Sequence, residues 1–215
     1  MRDGFDLLRA TPASADPFPH VVVPGFLSRS VVDEVIADFP KLDMAGLFLP
    51  EAADYGPRFA RLLADLQGPE MTAIVGEKFG LDLAGRPTLA TLRSCCQVRD
   101  GRIHADAPFK LATMLLYLNE PWTPQGGRLR LLRSPIDLED YAAEVSPQGG
   151  LMILFKVQAN SWHGHHPFVG PRRYLMINWC ASAEARDREV ARHRLSGTVK
   201  KVKRLFGLGK VPRAA

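Results

Sequence analysis

Residues 107–118 read Ala107-Pro108-Phe109-Lys110-Leu111-Ala112-Thr113-Met114-Leu115-Leu116-Tyr117-Leu118. The run is short and apolar, opens behind a proline and closes on Asn119, so it reads as a β-strand. Similar runs flank it: Leu89 to Val98 before, then Arg128 to Leu132, Leu151 to Val157 and Tyr174 to Cys180 after. Turn-forming pairs separate them, such as Gly126-Gly127, Pro147 to Gly150 and Gly170-Pro171. A succession of short strands punctuated in this way describes a sheet sandwich or barrel. Between two of these strands, Asp137 to Val145 reads as a short helical insert.

Towards the N-terminus the texture is different. Asp16 to Gly25 reads as an entry strand between prolines. From Ser28 to Phe39, Val31, Val32, Val35, Ile36 and Phe39 recur at helical spacing, with Ser30 and Asp33 as a capping pair. Pro57 and Pro69 stand where first helical turns begin. Helices first and strands after give an α+β, mainly β, plan in which N-terminal helices brace one face of the β core. A final helical stretch runs from Ala183 to about Phe206. The expected division is one domain over residues 1–182 and a basic helical extension over 183–215.

The bulk numbers fit this plan. At 215 residues, 46% apolar and 24% charged, the chain is long enough to bury a core without staples. The three cysteines, two of them adjacent, form neither a disulfide framework nor a zinc ribbon. No apolar run has the length of a membrane span and the first 16 residues do not read as a secretory signal, so the expected compartment is the cytoplasm. The net charge of +5 is local. Between Arg186 and Arg213, ten basic residues face two acidic ones, so this stretch alone carries +8. The body is therefore slightly acidic, which argues against nucleic acid as a partner. From Thr198 to Leu208, basic and apolar residues alternate at near-helical spacing. Such a tail can lie on an anionic membrane surface or contact an acidic partner, or simply be a solvated helix end.

Chemistry is concentrated in the strand region. His104-Ala105-Asp106 aims an imidazole and a carboxylate to one side if it lies on a strand or its end. Fifty-nine residues later comes Trp162-His163-Gly164-His165-His166-Pro167. Two histidines and a carboxylate form the facial set that suits iron(II), whereas zinc more often takes thiolates or three histidines. His163 and His165 share a strand face, so His165 is the alternative third ligand; His166 points away. Arg173 opens the strand Tyr174 to Trp179, and a buried guanidinium suits a carboxylate.

These pieces form an ordered series. It runs His104-x-Asp106, Leu116-Tyr117-Leu118-Asn119-x-x-Trp122, Gly126-Gly127-x-Leu129-x-Leu131, His163-x-x-x-Pro167 and Arg173-Tyr174-x-x-x-x-Trp179, preceded by Pro19 to Val23 and Gly25-Phe26-Leu27. The series resembles the 2-oxoglutarate/Fe(II) dioxygenase superfamily, in its prolyl 4-hydroxylase-like branch, over roughly Phe18 to Trp179. The resemblance implies a double-stranded β-helix, or jelly roll. It implies iron(II) on His104, Asp106 and His163, and 2-oxoglutarate held through its distal carboxylate by Arg173 and Tyr117, with Trp179 lining the pocket. The implied reaction consumes O2, with ascorbate as an auxiliary reductant, releases succinate and CO2 and hydroxylates a substrate. The substrate classes implied are peptidyl proline, an amino acid or a sugar or polysaccharide precursor. Many relatives carry a tyrosine shortly before the H-x-D; here Cys96 or Gln97 stands near that place. The rival readings are a cupin-like metal-binding module without oxygenase activity and a nucleic-acid demethylase of the same superfamily.

Overall fold

The computed structural model describes residues 2–42 and 44–205, with the side chains of 196–205 outside the description. The side chains of the expected basic and apolar tail from Thr198 to Leu208 therefore lie outside the description. Among the described residues, eight strands form two antiparallel sheets. The larger holds β1 (His20–Val23), β6 (Met152–Lys156), β3 (Lys110–Tyr117), β8 (Gly170–Cys180) and β2 (Thr88–Cys96), in that spatial order. The smaller holds β5 (Tyr141–Val145), β4 (Leu129–Leu132) and β7 (His163–Gly164).

Strand alternation sorts the core into two layers. Ala112, Met114 and Leu116 of β3, Met152 and Leu154 of β6, and Leu175, Ile177 and Trp179 of β8 face the N-terminal helices. There they meet Leu62 and Leu66 of α3 (Pro57–Leu66) and Met71, Ile74 and Val75 of α4 (Pro69–Phe79). The alternate residues Leu115, Tyr117, Ile153, Phe155 and Tyr174 face inward and pack on Leu129, Leu131 and Val145 of the smaller sheet. The space between the sheets is thus apolar at one end and holds the polar residues described below at the other. The outer layer is completed by α1 (Arg2–Ala10), which buries Phe5 and Leu8, and by α2 (Arg29–Ala37). Pro57 and Pro69 do begin helices.

Two local expectations are corrected. The cap of α2 is Ser28, whose Oγ accepts the Val31 N–H at 3.4 Å; Ser30 and Asp33 lie within the helix. The expected helical insert, Asp137 to Val145, is a bent loop followed by strand β5, paired with β4. Its five residues, Tyr-Ala-Ala-Glu-Val, carry little preference of their own, and the cross-strand partner decides. Glu144 lies opposite Arg130 and accepts from its Nε at 2.7 Å, while the same guanidinium sits 4.3 Å from the centre of the Tyr141 ring.

The last element is α5 (Ala183–Leu205), which follows β8 directly and leans on β2 and β8. No described helix is long and apolar enough to cross a membrane.

Candidate active site

Backbone pairing assembles the histidines. His163 lies opposite Leu131 in the β4–β7 ladder, and opposite His104 in an isolated bridge in which the two residues exchange both backbone hydrogen bonds, at 2.9 and 3.0 Å. Residues directly opposite in an antiparallel pair project to the same face. Leu131 faces the space between the sheets, so both imidazoles do as well; their ring centres are 4.3 Å apart. In each ring Nδ1 pairs with a backbone carbonyl at 2.9 Å, Arg102 for His104 and Ser161 for His163. Such a bond places the proton on Nδ1 and leaves the Nε2 lone pair as the ligating atom.

Asp106 joins them. One ligand atom from each of His104, Asp106 and His163 lies within 4.8 Å of the others. The carboxylate accepts from the Lys110 ammonium at 2.9 Å and from the Thr113 hydroxyl at 2.5 Å. Burial works against its ionisation, but Lys110, His163 and the Thr113 hydroxyl outweigh burial and bring it down to about 2. Burial, and then the neighbouring His104, push His163 down to about 4 against the pull of Asp106. At neutral pH His163 is therefore a neutral imidazole and Asp106 a carboxylate, the forms in which these two groups bind a divalent cation. The donors are nitrogen and hard oxygen with no thiolate among them, which fits iron(II).

The three residues open on a cavity of about 310 Å3, lined also by Arg93, Lys110, Thr113, His165, Arg172, Tyr174 and Asn178. Arg172 is 3% exposed. Its Nε donates to the Gly127 carbonyl at 2.8 Å, its Nη2 donates to the Tyr117 hydroxyl at 3.3 Å, and its guanidinium lies 5.2 Å from the Tyr117 ring centre. Tyr117 is fully buried, and burial raises its hydroxyl to about 12 despite Arg172. It remains a neutral donor throughout the physiological range.

Two sequence assignments are corrected here. Arg173 is outside the cavity lining; its backbone N–H donates to Asn119 Oδ1 at 2.6 Å, and strand alternation turns its side chain to the face opposite Arg172. Trp179 is also on the wrong face: it packs among the helices and its indole N–H donates to Thr72 at 3.0 Å. The positions expected of these two residues are filled by their neighbours, Arg172 and Asn178. The β-strand period was the available signal, because Arg172, Tyr174, Met176 and Asn178 fall on one face.

His165 lies outside the three-residue metal-binding group. It lines the cavity, but its Nδ1 pairs with the His166 carbonyl at 2.8 Å, and the metal-binding group is formed without it. Burial, followed by Arg172, lowers His165 to about 4. His166 does point away, as expected, towards Glu139 at 2.8 Å and Arg130 at 3.0 Å. In the stretch before the H-x-D, Cys96 lines the cavity, and Arg93 does so too. Arg93 donates to the Tyr174 hydroxyl at 2.9 Å and to Asp100 at 2.6 Å. Burial lowers its pKa, but Tyr174, Cys96 and Asp100 outweigh this and raise it. No sequence pattern marked this second, partly buried guanidinium, since its partner Asp100 approaches only through the turn after β2.

The fold is thus a two-sheet antiparallel β sandwich with an inward-facing His/Asp/His group and a buried arginine beside it. Residues 95–181 match the family model of the 2OG-Fe(II) oxygenase superfamily. No curated protein matches the chain. Among solved structures, the chain is similar to a prolyl-4-hydroxylase from Pseudomonas putida, at 18% identity and a TM-score of 0.55 over 83% of this chain and 97% of that one. It is similar to a prolyl hydroxylase from Trichoplax adhaerens, solved with a hypoxia-inducible-factor peptide fragment, at 16% identity and a TM-score of 0.56 over 84% and 90%. It also resembles iron-bound HygX from Streptomyces hygroscopicus, at 16% identity and a TM-score of 0.52 over 85% and 87%. At these identities the structural likeness speaks for the fold. The match runs from the end of β2 through β8 and so includes all three candidate ligands and Arg172.

Proposed function

We propose that this protein is a 2-oxoglutarate- and iron(II)-dependent oxygenase that hydroxylates a C–H bond of a small molecule or peptide, with release of succinate and CO2. The observation that carries the reading is the pairing of the His104/Asp106/His163 group with one buried arginine in the same cavity. A plain metal-binding module needs no such arginine. Bound iron would supply activation of O2 and oxidative decarboxylation of the co-substrate.

The chain's own residues position and shield. His104, Asp106 and His163 present three donors on one side and leave the cavity side open for ligands. The carbonyls of Arg102 and Ser161 fix the two imidazole orientations, and Thr113 and Lys110 fix the carboxylate. Arg172, held by Tyr117 and the Gly127 carbonyl, offers its guanidinium to the distal carboxylate of 2-oxoglutarate, and the neutral Tyr117 hydroxyl braces it. The apolar residues Leu115, Leu129 and Met176 exclude water around the chain of the co-substrate.

The test is succinate formation from 2-oxoglutarate with iron(II), ascorbate and O2. Turnover in the wild type that is lost in both His104→Ala and Arg172→Ala is the expected result. If the wild type forms no succinate and calorimetry finds no 2-oxoglutarate binding to the metal-loaded protein, the metal-binding module becomes the better reading.

A further inference from the structure

The cavity holds a second guanidinium besides Arg172. Arg93 of β2 lines it, with 13% of its side chain exposed, and stands before the segment that matches the superfamily. Its hydrogen bonds leave from Nε and Nη1. Nε donates to the Tyr174 hydroxyl at 2.9 Å, and Nη1 donates to Asp100 at 2.6 Å and to Cys96 Sγ at 3.8 Å. A guanidinium has further N–H groups on Nη2. Nη2 takes no part in these bonds, and it is not sealed off. The sealed side-chain atoms without a partner, among the described residues, are Thr91 Oγ1 and Asn178 Oδ1. Nη2 of Arg93 therefore keeps both its donors and open surface. Arg172 is placed alike: its bonds leave from Nε and Nη2, and Nη1 is the nitrogen left over.

Strand pairing brings the two guanidiniums to one place. Tyr117, Tyr174 and Arg93 lie directly opposite one another across β3, β8 and β2. Such neighbours project to the same face, about 5 Å apart. The Tyr174 ring centre is 5.5 Å from the guanidinium carbon of Arg172 and 5.9 Å from that of Arg93. This row stands roughly 13 Å of strand along β3 from Thr113, which holds Asp106. A co-substrate stretched from the metal group passes Leu115 and Met176, which lie opposite each other, and brings its far carboxylate to the row. The charges agree with that. Asp100 neutralises Arg93, and no carboxylate among the described residues pairs with Arg172. This end of the cavity thus carries one positive charge in excess, which one ligand carboxylate balances.

We propose that Arg93 is a second binding residue for the distal carboxylate of the co-substrate, which is held between guanidiniums from two strands. Arg93 donates to it from Nη2, and Arg172 donates from Nη1. Asp100 and the Tyr174 hydroxyl fix the Arg93 fork through Nη1 and Nε, so little side-chain freedom is lost when the ligand binds. The pair also sets which 2-oxoacids are accepted. A ligand with a methyl group in place of the distal carboxylate covers the open N–H groups of Nη2 and gives them no acceptor, which is a desolvation cost. The proposal rests on the oxygenase reading, because it takes 2-oxoglutarate as the ligand.

The experiment is calorimetry on the full chain loaded with nickel(II) in place of iron. The probes are 2-oxoglutarate and 2-oxopentanoate, which has the same carbon chain without the distal carboxylate. The proteins are the wild type, Arg93→Met, Arg93→Lys and Asp100→Asn. Arg93→Met is expected to weaken 2-oxoglutarate by about tenfold or more, the loss of a hydrogen bond to a charged group. Its affinity for 2-oxopentanoate, read by ligand-observed NMR, should stay within about twofold. Asp100→Asn keeps an acceptor for Arg93 and removes the competing negative charge, so 2-oxoglutarate should bind it as tightly as the wild type or more tightly. If Arg93 served only to fold the turn after β2, Asp100→Asn would weaken 2-oxoglutarate as Arg93→Met does, and that result overturns the proposal. Equal weakening of both 2-oxoacids in Arg93→Met overturns it too, since it marks a general collapse of the cavity. So does an unchanged 2-oxoglutarate affinity in Arg93→Met, which would leave Arg93 to a substrate anion. If Arg93→Met does not fold, Arg93→Lys decides by the same two probes: selective weakening of 2-oxoglutarate is expected, and unchanged affinity overturns the proposal. A wild type that binds no 2-oxoglutarate removes the oxygenase reading itself, a result distinct from any difference between the variants.

Discussion

Arg172 and Arg173 are adjacent in the chain and lie on opposite faces of β8. Arg172 reaches the Tyr117 hydroxyl at 3.3 Å inside the sandwich, while Arg173 is held through its backbone, whose N–H donates to Asn119 Oδ1 at 2.6 Å and whose carbonyl accepts from Asn119 Nδ2 at 3.1 Å. Loss of a buried charge partner costs a ligand carboxylate on the order of 2–5 kcal/mol. Arg172→Met should therefore weaken 2-oxoglutarate binding by about 100-fold or more, measured by calorimetry on the metal-loaded protein. Arg173→Met should change it by less than about threefold. The reverse pattern would restore Arg173 to the co-substrate site.

The metal set makes a separate prediction. Nickel(II) or iron(II) should raise the melting temperature of the wild type by several degrees, because an ion that binds only the folded state stabilises it by mass action. His104→Ala, Asp106→Ala and His163→Ala should each abolish that rise. His165→Ala should keep it, since the ligand group forms without His165. A wild type whose melting temperature ignores both ions would count against the site.

Trp179 is fully buried on the helix side of the large sheet and donates to Thr72. Trp179→Phe loses that hydrogen bond and leaves a void, a cost of about 1–3 kcal/mol. Its melting temperature should fall by several degrees while 2-oxoglutarate affinity stays within about twofold. A selective loss of affinity at unchanged stability would place the indole at the cavity after all.

Acid should destabilise the metal-free protein in a defined window. His163 and His165 titrate at about 4 when folded, below the ordinary value of 6.5, because burial disfavours their charged forms. Below about pH 6.5 the unfolded chain takes up protons that the folded one refuses, so stability falls from there to about pH 4 and then levels. Each imidazole contributes a loss on the order of 3 kcal/mol at full effect. Asp106, held at about 2, has the opposite logic: its contribution persists until pH drops below the ordinary carboxylate value of 3.8. Melting temperature should thus decline from pH 7 to 4.5, and His165→Gln should make the decline shallower. A flat profile would show that neither imidazole is buried neutral.

The strand runs and the two proline-started helices were legible because each depends on local pattern: apolar alternation, turn pairs, and a ring that fixes the first helical turn. The three residues of the metal group were legible for a similar reason, since His104 and Asp106 come as a spaced pair and His163 belongs to a distinctive cluster. The sequence could not determine which of two adjacent residues faces inward. A strand's period is two, so a register displaced by one residue exchanges its faces, and only the pairing of β8 with β2 and β3 put Arg172 and Asn178 inside and Arg173 and Trp179 outside. The same holds for Tyr141 to Val145, whose strand character comes from Arg130 and its neighbours on β4. It holds again for Thr91 and Asn178, which are 87 residues apart and line one cavity only because β2 and β8 lie side by side.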